Sequence, residues 1–323
     1  MPNNKALAAG GAGTLSATSR SAASVRRLNW SSLKHQAVPY LLTAPALLVM
    51  CGVLVYPLLS VFHESFYRVE PASSPDWIFV GLHNYGRILT DSDVADSLGH
   101  TAVWTIGSVV LQVALGLLAA VALAKAFRGR GLVRAALMVP WATPAVVGAL
   151  AWKWIYHGQC GLLNSALRGL HLDSLAVAWL GDPHTAMNAV IVANVWRGFP
   201  FITVVLLAGV LAIPRELYEA AAVDGASGFG AFRRVTLPLL KPALLISSLL
   251  AAIWTFNNFA YIYILTGGGP AGQTDILVTF VYRNGFQFFH WGYASALSVF
   301  LFFLVLVCSL IYIRLLRSES LES

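Results

Sequence analysis

The chain has 323 residues, 58% of them hydrophobic and only 11% charged, with a formal charge of +7. So few charges cannot cover a soluble globule of this size, and the composition indicates a membrane protein. The basic residues sit at the ends of apolar runs rather than in one patch, so topology accounts for them and nucleic-acid binding is not indicated.

Residues 1–36 are rich in Ala, Ser and Gly and carry Arg20, Arg26, Arg27 and Lys34 without apolar periodicity. They are expected to form a disordered basic tail. Arg26-Arg27 faintly resembles a twin-arginine export signal, but the apolar run that follows is longer than a signal core and lacks a small-residue cleavage site. An uncleaved first span is expected instead. Residues 37–317 are then expected to form one membrane domain, and residues 318–323 a short C-terminal tail.

Runs long enough to cross roughly 30 Å of hydrocarbon recur six times, near Val38–Phe62, Thr101–Ala124, Leu132–Tyr156, Ala186–Ile213, Pro242–Leu265 and Trp291–Leu315. A seventh candidate, Ile276–Phe289, is short and interrupted by Arg283, Asn284 and Gly285, and reads as an interfacial or re-entrant helix. Lys125, Arg128, Arg130, Arg134, Arg215, Arg233, Arg234, Lys241, Arg314 and Arg317 fall on one side with the basic tail. Most acids fall on the other, including Asp91, Asp93, Asp96, Asp173, Asp182 and Asp275. The positive-inside rule then makes both termini cytoplasmic. The expected class is an all-α, six-span, multi-pass membrane protein.

Polar residues inside these spans are costly and therefore informative. In the third span, VPWATPAVVGALAWKWIY, Pro140 and Pro144 remove two backbone donors close together and bend the helix beside Trp141. Lys153 and His157 lie near its outer end, where both are expected to snorkel toward the headgroups. No second ligand stands three or four residues from His157, so a metal role is not indicated. Cys51 and Cys308 lie in apolar runs and Cys160 alone in a loop, giving no disulfide or metal framework. The fourth span, ANVWRGFPFITVVLLAGV, holds Arg197 near its centre and Pro200, which kinks the helix. Arg197 either bonds carbonyls exposed by Pro200 or meets an anionic solute.

The stretch Trp254–Pro270, WTFNNFAYIYILTGGGP, places Asn257 and Asn258 among Trp254, Phe256, Phe259, Tyr261 and Tyr263. Aromatic faces cover the C–H surfaces of a sugar, and amides replace water at its hydroxyls. The other reading is that these asparagines bond neighbouring helices.

Between the fourth and fifth runs lies a polar island, EAAAVDGASGFGAFRRVTLP, from Glu219 to Pro238. Pro214 can start a helix at its first turn. Ala220, Ala221 and Ala222 continue it with a surface of methyl groups. Gly225 suits the left-handed residue that stops it. Phe229, Phe232 and Val235 share one side of a second turn, and Pro238 and Pro242 then break the chain. A bare-faced helix between two spans is a surface to be gripped by another protein.

Glu-Ala-Ala, three residues, Gly225, nine residues and Val235-Thr236-Leu237-Pro238 resemble the EAA loop of the permease subunits of ABC importers. The segment FVGLHNYGRIL from Phe79, the Gly161-Leu162-Leu163-Asn164 element, and the FNNF and LTGGGP stretches resemble the carbohydrate-importing branch, the maltose and glycerol-phosphate permease type. The resemblance covers the chain from about residue 38 onward. It implies an ABC type I importer permease fold with a cytoplasmic coupling loop spanning residues 214–241, in a prokaryotic plasma membrane. It places solute contacts at Trp141, Ala145, Gly198, Phe201, Thr255 and Asn258, to which the cost argument adds Asn257 and Arg197. It places ATPase coupling at Glu219, Ala220, Ala221, Asp224 and Gly225.

No Gly-rich loop ending in Gly-Lys-Ser/Thr occurs, so no ATP hydrolysis, catalytic residue or metal is expected in this chain. ATP and Mg belong to the partners that the resemblance implies. These are two ATP-binding cassette subunits, a second homologous permease and an extracytoplasmic solute-binding protein, assembled in the lipid bilayer. Asp91, Asp93, Asp96 and the 266–290 segment are the candidate surface for the last of these. The expected cargo is a sugar, di- or oligosaccharide. The alternatives are a phosphorylated or acidic solute such as glycerol phosphate or a uronate oligosaccharide and, in another class, an ion-coupled secondary transporter using broken helices.

Overall fold

The structure is a computed structural model that describes residue 40, residues 42–70 and residues 74–320. The expected basic tail lies outside the described residues. The chain divides into two compact units between Tyr56 and Pro57. The described residues of the first are helical and largely exposed.

Helix α1 (Leu42–Glu64) contains a wider π turn at Cys51–Val55. An antiparallel hairpin follows, β1 (Tyr67–Glu70) against β2 (Ser74–Phe79), with Tyr67 opposite Phe79 and Arg68 opposite Ile78. It was not foreseen by the all-helical reading. In β1, Val69 is buried between more exposed neighbours, as a half-covered strand requires. Helix α2 (His83–Thr90) pins the hairpin, because Asn84 Nδ2 donates to the carbonyls of Ser65 and Tyr67 at 2.9 and 3.0 Å. Tyr85 and Ser65 hydroxyls share a further bond of 2.7 Å.

Helix α3 (Ser92–Ala124) starts nine residues before the expected span, because Asp91 caps it by accepting from the Asp93 N–H at 3.0 Å. The third span is a pair, α4 (Arg130–Ala142) and α5 (Ala145–Ile155), bent by 95°. Pro140 is absorbed within α4, and Pro144 stands in the turn as the N-cap of α5. The expected bend is therefore a right-angled break. Helix α6 (Leu162–Gly169) presents Asn164, which donates to the Gly158 and Val177 carbonyls and accepts from Trp179 Nε1. The GxxN element thus ties the loop together.

Helix α7 (Pro183–Ala212), capped by Asp182, runs without a break through Pro200. It is the centre of the second unit: 56% of its most apolar stretch is buried, against 28% for α3 and none for α1. Small residues let its neighbours approach. A Cβ on Gly116 of α3 would meet Ile202 at 2.7 Å, and one on Gly209 would meet Leu240 at 2.6 Å.

Helix α8 (Arg215–Val223) takes Pro214 as its N-cap, one residue earlier than the N1 position expected. Helix α9 (Gly228–Phe256) continues through Pro238 and Pro242, which were expected to break it. A π turn at Phe232–Thr236 just ahead of Pro238 widens the coil where a proline ring would press on the preceding turn. The expected fifth span does not reach Leu265 as one helix: α9 stops at Phe256, and α10 (Phe259–Leu265) begins afresh. The seventh candidate is α11 (Leu277–Tyr282) followed by a π turn at Arg283–Gln287. It is packed into the protein, with Leu277 and Phe280 buried against Ile88, Val94 and Leu297. Helix α12 (Trp291–Ser320) closes the described chain. Among the described residues five helices are long and apolar enough to cross a bilayer, or up to six if the bent pair is one span.

Candidate functional site

Asparagine ends helices readily, since its short amide competes with backbone partners. Asn257 is the C-cap of α9, exposed, with its Nδ2 donating to the Ile253 carbonyl at 2.8 Å. Asn258 is the N-cap of α10, its Oδ1 accepting from the Tyr261 N–H at 3.4 Å. The break frees carbonyls inside the spans, which must find donors there. The buried indole of Trp104 supplies one, bonding the Thr255 carbonyl at 2.9 Å.

Polar groups gather at this break. Asn258 Nδ2 donates to Asn194 Oδ1 at 3.0 Å, and Asn194 Nδ2 to Thr255 Oγ1 at 3.4 Å. Gln112 Nε2 reaches the Asn194 carbonyl at 3.4 Å. Beside this ladder lies a row of rings. Trp141 stacks on Phe201 with centroids 6.1 Å apart and planes 20° apart, and Phe201 meets Trp254 edge-on at 4.8 Å. Both the ladder and the rings border a cavity of about 230 Å³, whose wall includes Trp141, Arg197, Gly198, Phe201, Thr255, Asn257 and Asn258. Seven of the eight residues expected to contact solute are thus brought to one place.

Ala145 is not on that wall. The right-angled turn at Pro144 carries it into packing against the cluster that includes Ala149, Tyr156 and Tyr261. Gly198 has a packing role as well: a Cβ there would come within 2.5 Å of the Gln112 carboxamide. Sequence reasoning did not single out Gln112, Asn194 or Ala251 for the wall, and it took Trp254 only as a neighbouring aromatic. The signal for Gln112 and Asn194 was present, for both are amides inside apolar runs.

Arg197 is half-buried and its Nε is buried without a hydrogen-bond partner. Among the described residues it bonds no carbonyl near Pro200, so that expectation is not met. Its guanidinium carbon stands 6.0 Å from the Tyr261 ring, a weak compensation. A mid-span arginine costs about 2.5–3.5 kcal/mol on insertion scales.

The second candidate site, the loop carrying α8, is exposed. Asp224 is the C-cap and Gly225 has φ +78, the left-handed stop expected of it. The Ala226 N–H bonds the Ala221 carbonyl at 2.9 Å and the Gly225 N–H the Ala222 carbonyl at 3.1 Å, closing the helix end. Glu219 pairs with Arg215 at 3.2 Å on an open surface. Ala220 and Ala222 are exposed, Ala221 half-buried, and Phe229 is 75% exposed. Tyr218 holds α8 to α9 through the Thr236 hydroxyl at 3.0 Å.

At the opposite end of α3, Asp93, Asp96, His100, Gln273 and Asp275 line a cavity of about 370 Å³. Burial pushes the Asp275 carboxyl up, while the Thr279 hydroxyl and the Arg283 guanidinium, 2.7 Å away, act the other way. Asp91 is not in that cavity wall; it accepts from the Tyr293 hydroxyl at 2.8 Å. Lys153 does not end in free solution, since its Nζ donates to the Ile264 carbonyl at 2.8 Å.

Residues 112–318 match the family described as binding-protein-dependent transport system inner membrane component. The chain belongs to this family. The permease is 38% identical to a trehalose/maltose transport system permease protein of Thermococcus litoralis, over 89% of this chain and 97% of that one. It is 31% identical to a sulfoquinovosyl glycerol transport system permease protein of Agrobacterium fabrum, over 91% and 95% of the two chains. Its fold matches a chain in the crystal structure of a bacterial ABC transporter involved in alginate import, with a TM-score of 0.77 at 23% identity, covering 90% and 98% of the chains. The permease is a multi-pass membrane subunit with the type I importer fold.

Proposed function

We propose that the chain is one of two permease subunits of an ATP-driven, binding-protein-dependent importer that moves a sugar, a di- or oligosaccharide, across a prokaryotic plasma membrane. The observation that carries the sugar is the cavity at the α9/α10 break. On its wall Trp141, Phe201 and Trp254 offer apolar faces, and Asn194, Thr255, Asn257 and Asn258 offer hydroxyl partners. The names of the relatives, trehalose/maltose and sulfoquinovosyl glycerol permeases, support a glycoside. The exposed α8 and its left-handed stop fit a coupling helix gripped by a cytoplasmic ATPase, which would bind ATP and Mg. Both termini and α8 would then be cytoplasmic, and the α3 end carrying Asp93 and Asp96 would face the solute-binding protein.

An acidic or phosphorylated solute is the second reading, favoured by the unpaired Arg197 on the wall. The test is a screen of the companion solute-binding protein against mono-, di- and oligosaccharides, uronates and phosphosugars, followed by uptake in cells carrying Trp141→Ala or Asn258→Ala. A neutral saccharide that binds, and whose uptake falls at least about tenfold in both variants, supports the first reading. Binding restricted to anions supports the second, and unchanged uptake removes the cavity from the pathway.

A further inference from the structure

Arg197 has a charge but, among the described residues, no counter-charge. Among the described residues it makes no ion pair, and its Nε is buried and unbonded. Between Ser97 and Leu265 the acids are Asp173, Asp182, Glu216, Glu219 and Asp224, and all lie outside the apolar spans. Asp182 begins α7, fifteen residues before Arg197, which is about 22 Å along a helix. No acid on α7 can therefore reach the guanidinium, and α4, α5, α9 and α10 carry none. Yet the half-buried side chain sits on a cavity wall within the spans.

A guanidinium presents five donors in a planar fork and is best met by a carboxylate. A neutral sugar cannot neutralise it. A charged solute could do so only while bound, whereas the cavity is empty for part of every transport cycle. A resident acid would serve the loaded and empty states alike.

We propose that Arg197 is completed by a membrane-embedded aspartate or glutamate of the companion permease, so that an ion pair across the subunit interface closes one side of the solute cavity. This rests on the reading that the chain works beside a second permease. Arg197 is on this view a positioning residue: it fixes the two subunits across the cavity and leaves solute contact to the rings and amides.

The test uses the complete importer in proteoliposomes. Each Asp and Glu in the apolar spans of the companion is changed in turn to Asn or Gln, alone and with Arg197→Gln. One of these is expected to lower solute-stimulated ATP hydrolysis about tenfold or more, as Arg197→Gln does, with the double variant no worse than either single one. Arg197→Glu combined with Arg at that acid should recover activity. Arg197→Cys with Cys at the same acid should form an intersubunit disulfide under mild oxidation. The proposal is overturned if no companion acid reproduces the Arg197→Gln defect, if Arg197→Gln is silent, or if it abolishes uptake of anionic solutes alone. The disulfide requires no solute, so a wild-type importer that moves no sugar would refute the sugar reading without touching this one.

Discussion

Gly198 shows how one position carries two demands. It lies on the cavity wall, and it leaves room for the Gln112 carboxamide at the α3–α7 contact. Gly198→Ala should cost about 1–3 kcal/mol through overpacking, read as a lower thermal midpoint of the purified complex. Gly198→Ala with Gln112→Ala should recover part of that loss, because the second change removes the group the methyl strikes. Asp275 and Arg283 make a second local case. Since burial raises the Asp275 carboxyl, its ionised form is disfavoured in the fold, and that penalty is absent below the ordinary carboxylate range. It grows as pH rises through the raised value. Arg283→Met removes the compensating guanidinium, so its destabilisation should be largest at neutral pH and shrink on acidification. Adding Asp275→Asn should flatten that dependence, as followed by thermal unfolding across pH.

At the scale of elements, the stop of α8 depends on one backbone conformation. Gly225 sits at φ +78, which costs a residue with a side chain about 1–2 kcal/mol. Gly225→Val should fray the last turn, seen as faster amide exchange over Ala221–Ala226, and under the proposed function should lower solute-stimulated ATP hydrolysis. The elbow between α4 and α5 is the other decisive element. Pro144→Leu supplies a donor that a continuous helix can use, and should move Trp141 off the Phe201 ring. The expected readout is lost solute uptake with membrane insertion unchanged. How far these elements were legible follows from what each signal encodes. Polarity inside an apolar run marks residues that need company, so Arg197, Asn257 and Asn258 were legible and lie on the cavity wall, where Trp141, Gly198, Phe201 and Thr255 join them from the family resemblance. A matched position does not encode the angle of a turn, so Ala145, assigned to the wall by the resemblance, lies in packing beyond the elbow. Pro238 and Pro242 promised a break, yet α9 runs through both, with a π turn at Phe232–Thr236 just ahead of Pro238. The hairpin escaped notice because its strands are only four and six residues long.

At the scale of the whole molecule, burial is uneven. None of the most apolar stretch of α1 is buried, and only 17% of that of α12. Lipid covers such faces as well as protein does, but in detergent they invite a partner. Purified without companions, the permease should unfold at a lower temperature than within the assembled importer. Equal midpoints would show that these faces are satisfied by lipid alone.

The amide of Asn258 stands at two posts. One end holds Asn194, and the other caps α10. Under the proposed function, a solute hydroxyl that takes over either of these bonds would release Asn194 or loosen the first turn of the helix. At the far end of that short helix the Ile264 carbonyl is tethered to Lys153. On that reading, solute binding and the set of this seven-residue helix would be linked through a single side chain.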